Sequence, residues 1–88
     1  MVSDEFVVLN RAGVHARPAA AIAKTAQKFS SDIRLSLGTM TINAKSIMGI
    51  ITLGAIYKTT IKCICTGDDE EEALKAIEKL FLNRFDDV

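Results

Sequence analysis

The stretch Asp32-Ile-Arg-Leu-Ser-Leu-Gly-Thr-Met-Thr-Ile-Asn43 decides the fold. Ile33, Leu35 and Leu37 alternate with Arg34 and Ser36, which puts the apolar side chains on one face of a strand. Gly38-Thr39 interrupts the alternation, and Met40 and Ile42 resume it. Two residues with Gly first suit a type II′ turn, so the stretch predicts a hairpin with one apolar face. Such a face must be covered, and the flanking sequence offers the cover.

On the N-terminal side, Ala19, Ile22, Ala23, Ala26 and Phe29 fall at helical spacing. Pro18 sits in the first turn, where it removes no helical hydrogen bond, so the helix starts near residue 16. Glu5 to Leu9 is a strand-prone run closed by Asn10 and Gly13. On the C-terminal side, Ser46 opens a two-turn helix that ends at Gly54. Thr59 to Thr66 reads as a strand with Ile61, Cys63 and Cys65 alternating. Gly67-Asp68-Asp69 leads into a last helix. Glu70, Glu71 and Glu72 occupy its first turn, where the dipole favours acid. Ala73, Leu74, Ile77, Leu80, Phe81 and Phe85 form its apolar stripe, and Glu71 and Lys75 stand at ion-pair spacing. The order β-α-β-β-α-β-α predicts an α+β open-faced sandwich, a four-stranded antiparallel sheet covered on one face by three helices.

The 88 residues suffice for a single domain, 1–88, with no room for a dinucleotide-binding fold. Eleven basic residues balance eleven acidic ones, which excludes the uniformly basic profile of a nucleic-acid binder. Four Phe and one Tyr are too few for a base-stacking platform. The longest uncharged stretch, Ser46 to Tyr57, is well short of the roughly 20 residues that span a bilayer. Met1 to Glu5 carries acid and no basic cluster, unlike a secretory signal. Cys63 and Cys65 would stand side by side on one strand face, a poor disulfide geometry. Buried free thiols are the expectation, and reduced thiols point to the cytoplasm.

Catalytic motifs are mostly absent: there is no P-loop, no His-pair metal site and no nucleophile elbow. The one His of the chain is His15, in Asn10-Arg-Ala-Gly-Val-His-Ala-Arg-Pro-Ala-Ala20. It stands at a helix N-terminus beside the backbone N–H groups of Ala16 and Arg17, which lack intrahelical partners and suit phosphate. The Arg17 guanidinium adds a fork of donors matched to phosphate oxygens. An imidazole beside an anion cradle reads as a phosphorylatable histidine. The second feature is the short helix after Ser46. Ile47, Met48, Ile50, Ile51 and Leu53 point all round it, so one face cannot bury them all, and the remainder predicts a partner surface.

Arg11-Ala-Gly-Val-His15-Ala-Arg17-Pro18-Ala-Ala, followed by Asn43-Ala-Lys45-Ser46-Ile-Met-Gly-Ile-Ile-Thr-Leu-Gly54, resembles the HPr family. Its members are the histidine phosphocarriers of the bacterial phosphoenolpyruvate:sugar phosphotransferase system. The resemblance implies that His15 accepts a phosphoryl group on Nδ1 from phospho-enzyme I and passes it to sugar-specific IIA components. It implies that Arg17 steadies the group, with no cofactor, and that the protein is a monomeric carrier and not an autonomous enzyme. Ala20, Lys24, Ile47, Met48 and Ile51 become the expected partner contacts. Ser46 matches a serine that an ATP-dependent kinase phosphorylates in many members, which brings in an HPr kinase/phosphorylase and a transcriptional regulator as further partners. The family's sheet order is first, fourth, second, third strand.

Three departures stand out. Ala12 replaces a polar residue that can help hold phosphate, Val14 replaces a larger apolar residue, and Lys58 replaces a turn glycine before the fourth strand. Two alternatives remain: the carrier of a nitrogen-related regulatory branch, and a binding regulator working through Ser46 and the Ile47/Met48 patch. The charge distribution sharpens the picture. Between Phe6 and Gly67 eight bases face the single acid Asp32, whereas from Asp68 onward eight acids face three bases. The basic stretch holds both His15 and Ser46, so an acidic partner would be steered there.

Overall fold

The patterned segments fold in chain order as β1 (Val2–Val7), α1 (Ala16–Ala26), β2 (Asp32–Leu37), β3 (Met40–Asn43), α2 (Ile47–Leu53), β4 (Thr60–Thr66) and α3 (Glu70–Leu82), in a computed structural model that describes residues 1–86. Asp87 and Val88, the end of the expected 1–88 unit, lie outside the described residues.

The hairpin forms in the register its alternation predicts: Leu35 lies opposite Ile42 and Leu37 opposite Met40. Gly38 takes φ +62° and Thr39 is not among the residues of positive φ, as a type II′ turn requires. β4 then inserts beside β2, and β1 pairs with its other edge, so the antiparallel sheet runs β1-β4-β2-β3. This is the strand order the resemblance implied.

One face of the sheet presents Phe6, Ile33, Leu35, Ile61, Cys63 and Cys65, all buried. The opposite face carries exposed Glu5, Asp32, Arg34 and Lys62. Over the apolar face lie Ala19, Ile22, Ala23 and Ala26 of α1, Ile50 and Leu53 of α2, and Ala73, Ile77 and Phe81 of α3. Each large side chain removed from water contributes about 1.5–3 kcal/mol. The buried alanines of α1, Ala19, Ala23 and Ala26, allow that helix to approach the sheet closely. Cys63 and Cys65 are free, with sulfurs 4.0 Å apart, and burial pushes the Cys63 thiol upward, away from the reactive thiolate.

Two elements and one side-chain pairing differ from the sequence pattern. The first strand runs Val2–Val7 and not Glu5–Leu9, because β4 reaches far enough to pair Cys65 with Val2. The last helix stops at Leu82, and Arg84 and Phe85 turn left-handed at φ 52° and 56°, so Phe85 leaves the helical stripe. Its ring still packs edge-on against Phe81, with centroids 5.0 Å apart. Glu71 and Lys75 form no ion pair; the pairs among the described residues are the N-terminal ammonium with Glu70 and Arg34 with Asp32. An exposed pair held by two flexible side chains gains little.

Lys58 sits in the turn before β4 at φ +70°, a conformation disfavoured for any residue with a Cβ. Lys58→Gly is expected to stabilise the protein by roughly 0.5–1 kcal/mol, read as a higher denaturation midpoint.

A second stability device joins α3 to β2. Asp69 accepts hydrogen bonds from the Ser30 and Ser31 N–H groups, both at 2.9 Å, and from the Ser31 hydroxyl. The hydroxyl foremost, these donors hold the Asp69 carboxyl down at about 2. A carboxylate whose folded pKa is depressed stabilises fully above its unfolded value, near 4, and that contribution vanishes as pH falls toward 2. Thermal midpoints should therefore drop between pH 4 and pH 2. Asp69→Asn should lower the midpoint at pH 6 and flatten that acid-side slope.

Candidate functional site

The loop that carries His15 is held from both sides. The buried Asn10 side chain donates through Nδ2 to the Gly13 carbonyl, and the Gly13 N–H donates back to the Asn10 carbonyl at 3.0 Å. Gly13 adopts φ +77° and lies so close to the segment after α2 that a Cβ there would stand 2.8 Å from the Ala55 carbonyl oxygen. The Val14 N–H donates to that same carbonyl at 2.9 Å, and the Val14 side chain is buried. The clamp leaves His15 as the N-cap of α1, exposed, in extended backbone (φ −96°, ψ −160°), its side chain making no capping bond.

The first helical bond of α1 runs from the Ala19 N–H to the His15 carbonyl at 2.8 Å. Pro18 has no N–H. The amides of Ala16 and Arg17 are therefore the donors left at the positive end of the helix dipole, beside the imidazole. His15, Arg17, Pro18 and Phe85 line a shallow cleft of about 30 Å³, space for one or two waters. His15 and Arg17 both line this cleft, and the Ala16 and Arg17 amides belong to the same helix end, so an imidazole, a guanidinium and two backbone donors are neighbours at the start of α1.

The expected partner contacts fall on α1 and α2. Ala20 is half-buried and Lys24 exposed on α1. On α2, Ile50 and Leu53 are buried while Ile47, Ile51 and Met48 are exposed, Met48 at 70%. Ser46 caps α2, its Oγ accepting from the Gly49 N–H at 3.1 Å. The two helices run in opposite directions. The chain just past α2 grips the His15 loop, whereas Lys45, just before α2, donates from Nζ to the Phe29 carbonyl at 2.8 Å beyond the end of α1. Gln27 completes the tie by donating to the Lys45 carbonyl at 3.0 Å. Ser46 and His15 thus stand at opposite ends of an 11-residue helix, separated by about 16 Å along its axis. The structure does not bring them together.

Several residues escaped the sequence reading. Asn10 was a turn marker only, yet it braces the loop. Ile56, 69% exposed, extends the apolar surface past α2. The cations of Arg11 and Lys58 lie over the Tyr57 ring, 5.9 and 5.4 Å from its centre. Phe85 reaches the cleft only because the chain turns left-handed after α3, and no pattern of spacing signals that.

Residues 2–83 match the protein family described as "PTS HPr component phosphorylation site". The phosphocarrier protein HPr of Treponema pallidum (strain Nichols) is 48% identical over 87 residues, 99% of both chains. That of Xylella fastidiosa (strain 9a5c) is 41% identical over 87 residues, 99% of this chain and 98% of its own. Among solved structures, HPr-C-His from Thermoanaerobacter tengcongensis superposes with a TM-score of 0.96 at 43% identity, covering 100% of this chain and 99% of its own. Among the described residues no helix is long and apolar enough to cross a membrane.

Proposed function

The chain belongs to the HPr family, the phosphocarriers of the phosphotransferase system, and from that membership we propose that His15 is the residue that carries the phosphoryl group, with Arg17 and the Ala16 and Arg17 amides as its phosphate cradle. The observation that carries this reading is the placement of His15 as an exposed N-cap whose side chain is free, next to two amides without helical partners. Nδ1 attacks the phosphorus of phospho-enzyme I. A nitrogen–phosphorus bond forms as the donor's own bond to phosphorus breaks and its electron pair returns to the donor. The Arg17 fork and the two amides take up charge on the phosphoryl oxygens. The same step with a IIA component as acceptor returns the imidazole. The group arrives already activated on a partner, so the carrier needs no nucleotide cradle of its own.

The partners meet the α1–α2 face: Ala20 in the middle of α1 and Lys24 in its last turn, then Met48, Ile47 and Ile51 on α2. The carrier acts as a cytoplasmic monomer. Incubation with phosphoenolpyruvate and enzyme I should give an acid-labile, base-stable adduct on the peptide that contains His15. An adduct on any other residue overturns the assignment. Comparing transfer to sugar-specific and to regulatory IIA proteins separates a sugar-uptake role from a nitrogen-related one.

Regulation at Ser46 is favoured by its position at the head of the exposed Ile47/Met48/Ile51 patch. Phosphate placed there by an HPr kinase/phosphorylase adds charge to an apolar docking surface, and the altered face suits a transcriptional regulator instead. Ser46→Asp should slow acceptance from enzyme I by about tenfold or more. It should leave the lifetime of the phosphohistidine unchanged, because the two sites are a helix length apart. Equal acceptance rates would remove Ser46 from the docking surface. If His15→Ala spared cellular function while Ser46→Asp abolished it, the protein would instead be a binding regulator.

A further inference from the structure

We propose that Phe85 is a positioning residue of the His15 site, its ring walling one side of the cleft and limiting the access of water to a phosphoryl group held there. The proposal rests on the reading of His15 as the acceptor. Three observations carry it.

Phe85 lines the cleft together with His15, Arg17 and Pro18, although it comes from the other end of the chain. Its ring is anchored: it packs edge-on against Phe81 at 5.0 Å, and Phe81, itself buried, stacks against Phe6 at 5.3 Å. The wall is thus the end of an aromatic row rooted in the core, and rings in such contact lose little further entropy on ordering. Finally, the backbone that delivers the ring holds two successive non-glycine residues, Arg84 and Phe85, at positive φ. α3 contains no proline or glycine that would force it to stop at Leu82. Conformations this disfavoured persist where surrounding packing over-determines them, here the seat of the ring between α3 and the start of α1.

The chemistry supplies the reason for a wall. In hydrolysis the oxygen of water bonds to phosphorus, the nitrogen–phosphorus bond breaks, and the proton released by water ends on the ring nitrogen, giving inorganic phosphate and free His15. A carrier must outlive that reaction between two partners, and an apolar ring on one side of the cleft excludes part of the attacking solvent.

The test phosphorylates the full chain with phosphoenolpyruvate and enzyme I, removes the donor, and follows the loss of the phosphohistidine signal by ³¹P NMR at pH 7. Phe85→Gly removes the ring and suits the left-handed backbone, so it separates the wall from the turn; Phe85→Leu keeps apolar cover. Phe85→Gly should shorten the half-life several-fold and accelerate dephosphorylation by added hydroxylamine, while Phe85→Leu restores most of the wild-type lifetime. A ring that served only folding would shift the melting midpoint and leave both rates unchanged. Equal lifetimes in wild type and Phe85→Gly, each phosphorylated on His15, overturn the proposal and leave the acceptor reading standing. If instead His15→Ala takes up phosphate as wild type does, the acceptor reading falls and this inference falls with it.

Discussion

His15→Ala is expected to abolish phosphoryl acceptance from enzyme I, a loss of at least about 10³-fold, the scale on which enzymes lose activity with their nucleophile. Among the described residues no other side chain of the cleft can stand in. Its remaining members are Arg17, Pro18 and Phe85, none of them a nucleophile at neutral pH. The two thiols are buried under the helices, and burial drives Cys63 further toward the protonated form. The fold should not notice the change. His15 is exposed and its ring makes no capping bond, so stability should move by no more than about 0.5 kcal/mol. A phosphorylation assay run beside a thermal melt checks both halves. An unchanged melt with no adduct supports the assignment, whereas an adduct that persists in the folded variant refutes it.

What the sequence made legible follows from which forces act locally. The β2–β3 hairpin could be read because alternation and a two-residue turn are both short-range, and the register Leu35–Ile42 confirms the two together. His15 was legible for a similar reason: glycine, histidine and proline within six residues dictate a loop, a cap and a helix start. The start of β1 was not, because Val2 and Ser3 become strand only through pairing with Cys65 and Ile64, more than sixty residues away. Asn10 belongs to the same class. Its turn character was plain, but its role in bracing Gly13 depends on burial under neighbours that the local pattern does not name. The charge balance shows the limit most clearly. A chain of zero net charge lacks the uniformly basic profile of a nucleic-acid binder, yet the useful fact is spatial. Arg11, Arg17, Lys24, Lys28, Lys45 and Lys58 lie on α1 or in the loops that flank α1 and α2, Arg34 and Lys62 stand on the open face of the sheet, and most of the acids gather at α3.

Gly13→Ala is the second large expectation, because at this position sequence, fold and function meet in one missing atom. The substitution forces a Cβ into a residue at φ +77° and places it 2.8 Å from the Ala55 carbonyl oxygen, a backbone atom that cannot swing aside. Strain and clash together should destabilise the protein by about 2–4 kcal/mol. The chain can relieve the clash only by lifting the loop from Ala55, which breaks the Val14 N–H bond to that carbonyl and moves His15 relative to the Ala16 and Arg17 amides. A displacement of about 1 Å at a reacting group lowers rates by roughly 10²-fold, so transfer should fall by that order in the fraction that remains folded. Gly38→Ala is the matched control. Gly38 also has positive φ, +62°, with nothing within 4 Å of the point where a methyl would stand, and it lies in the β2–β3 turn away from the residues that line the cleft. It should lose about 1–2 kcal/mol from the backbone alone and transfer phosphate at the wild-type rate. If both alanines slowed transfer equally, the effect would belong to general destabilisation. If only the Gly13 variant did, the clamp on Ala55 would be what aims His15 at its partners.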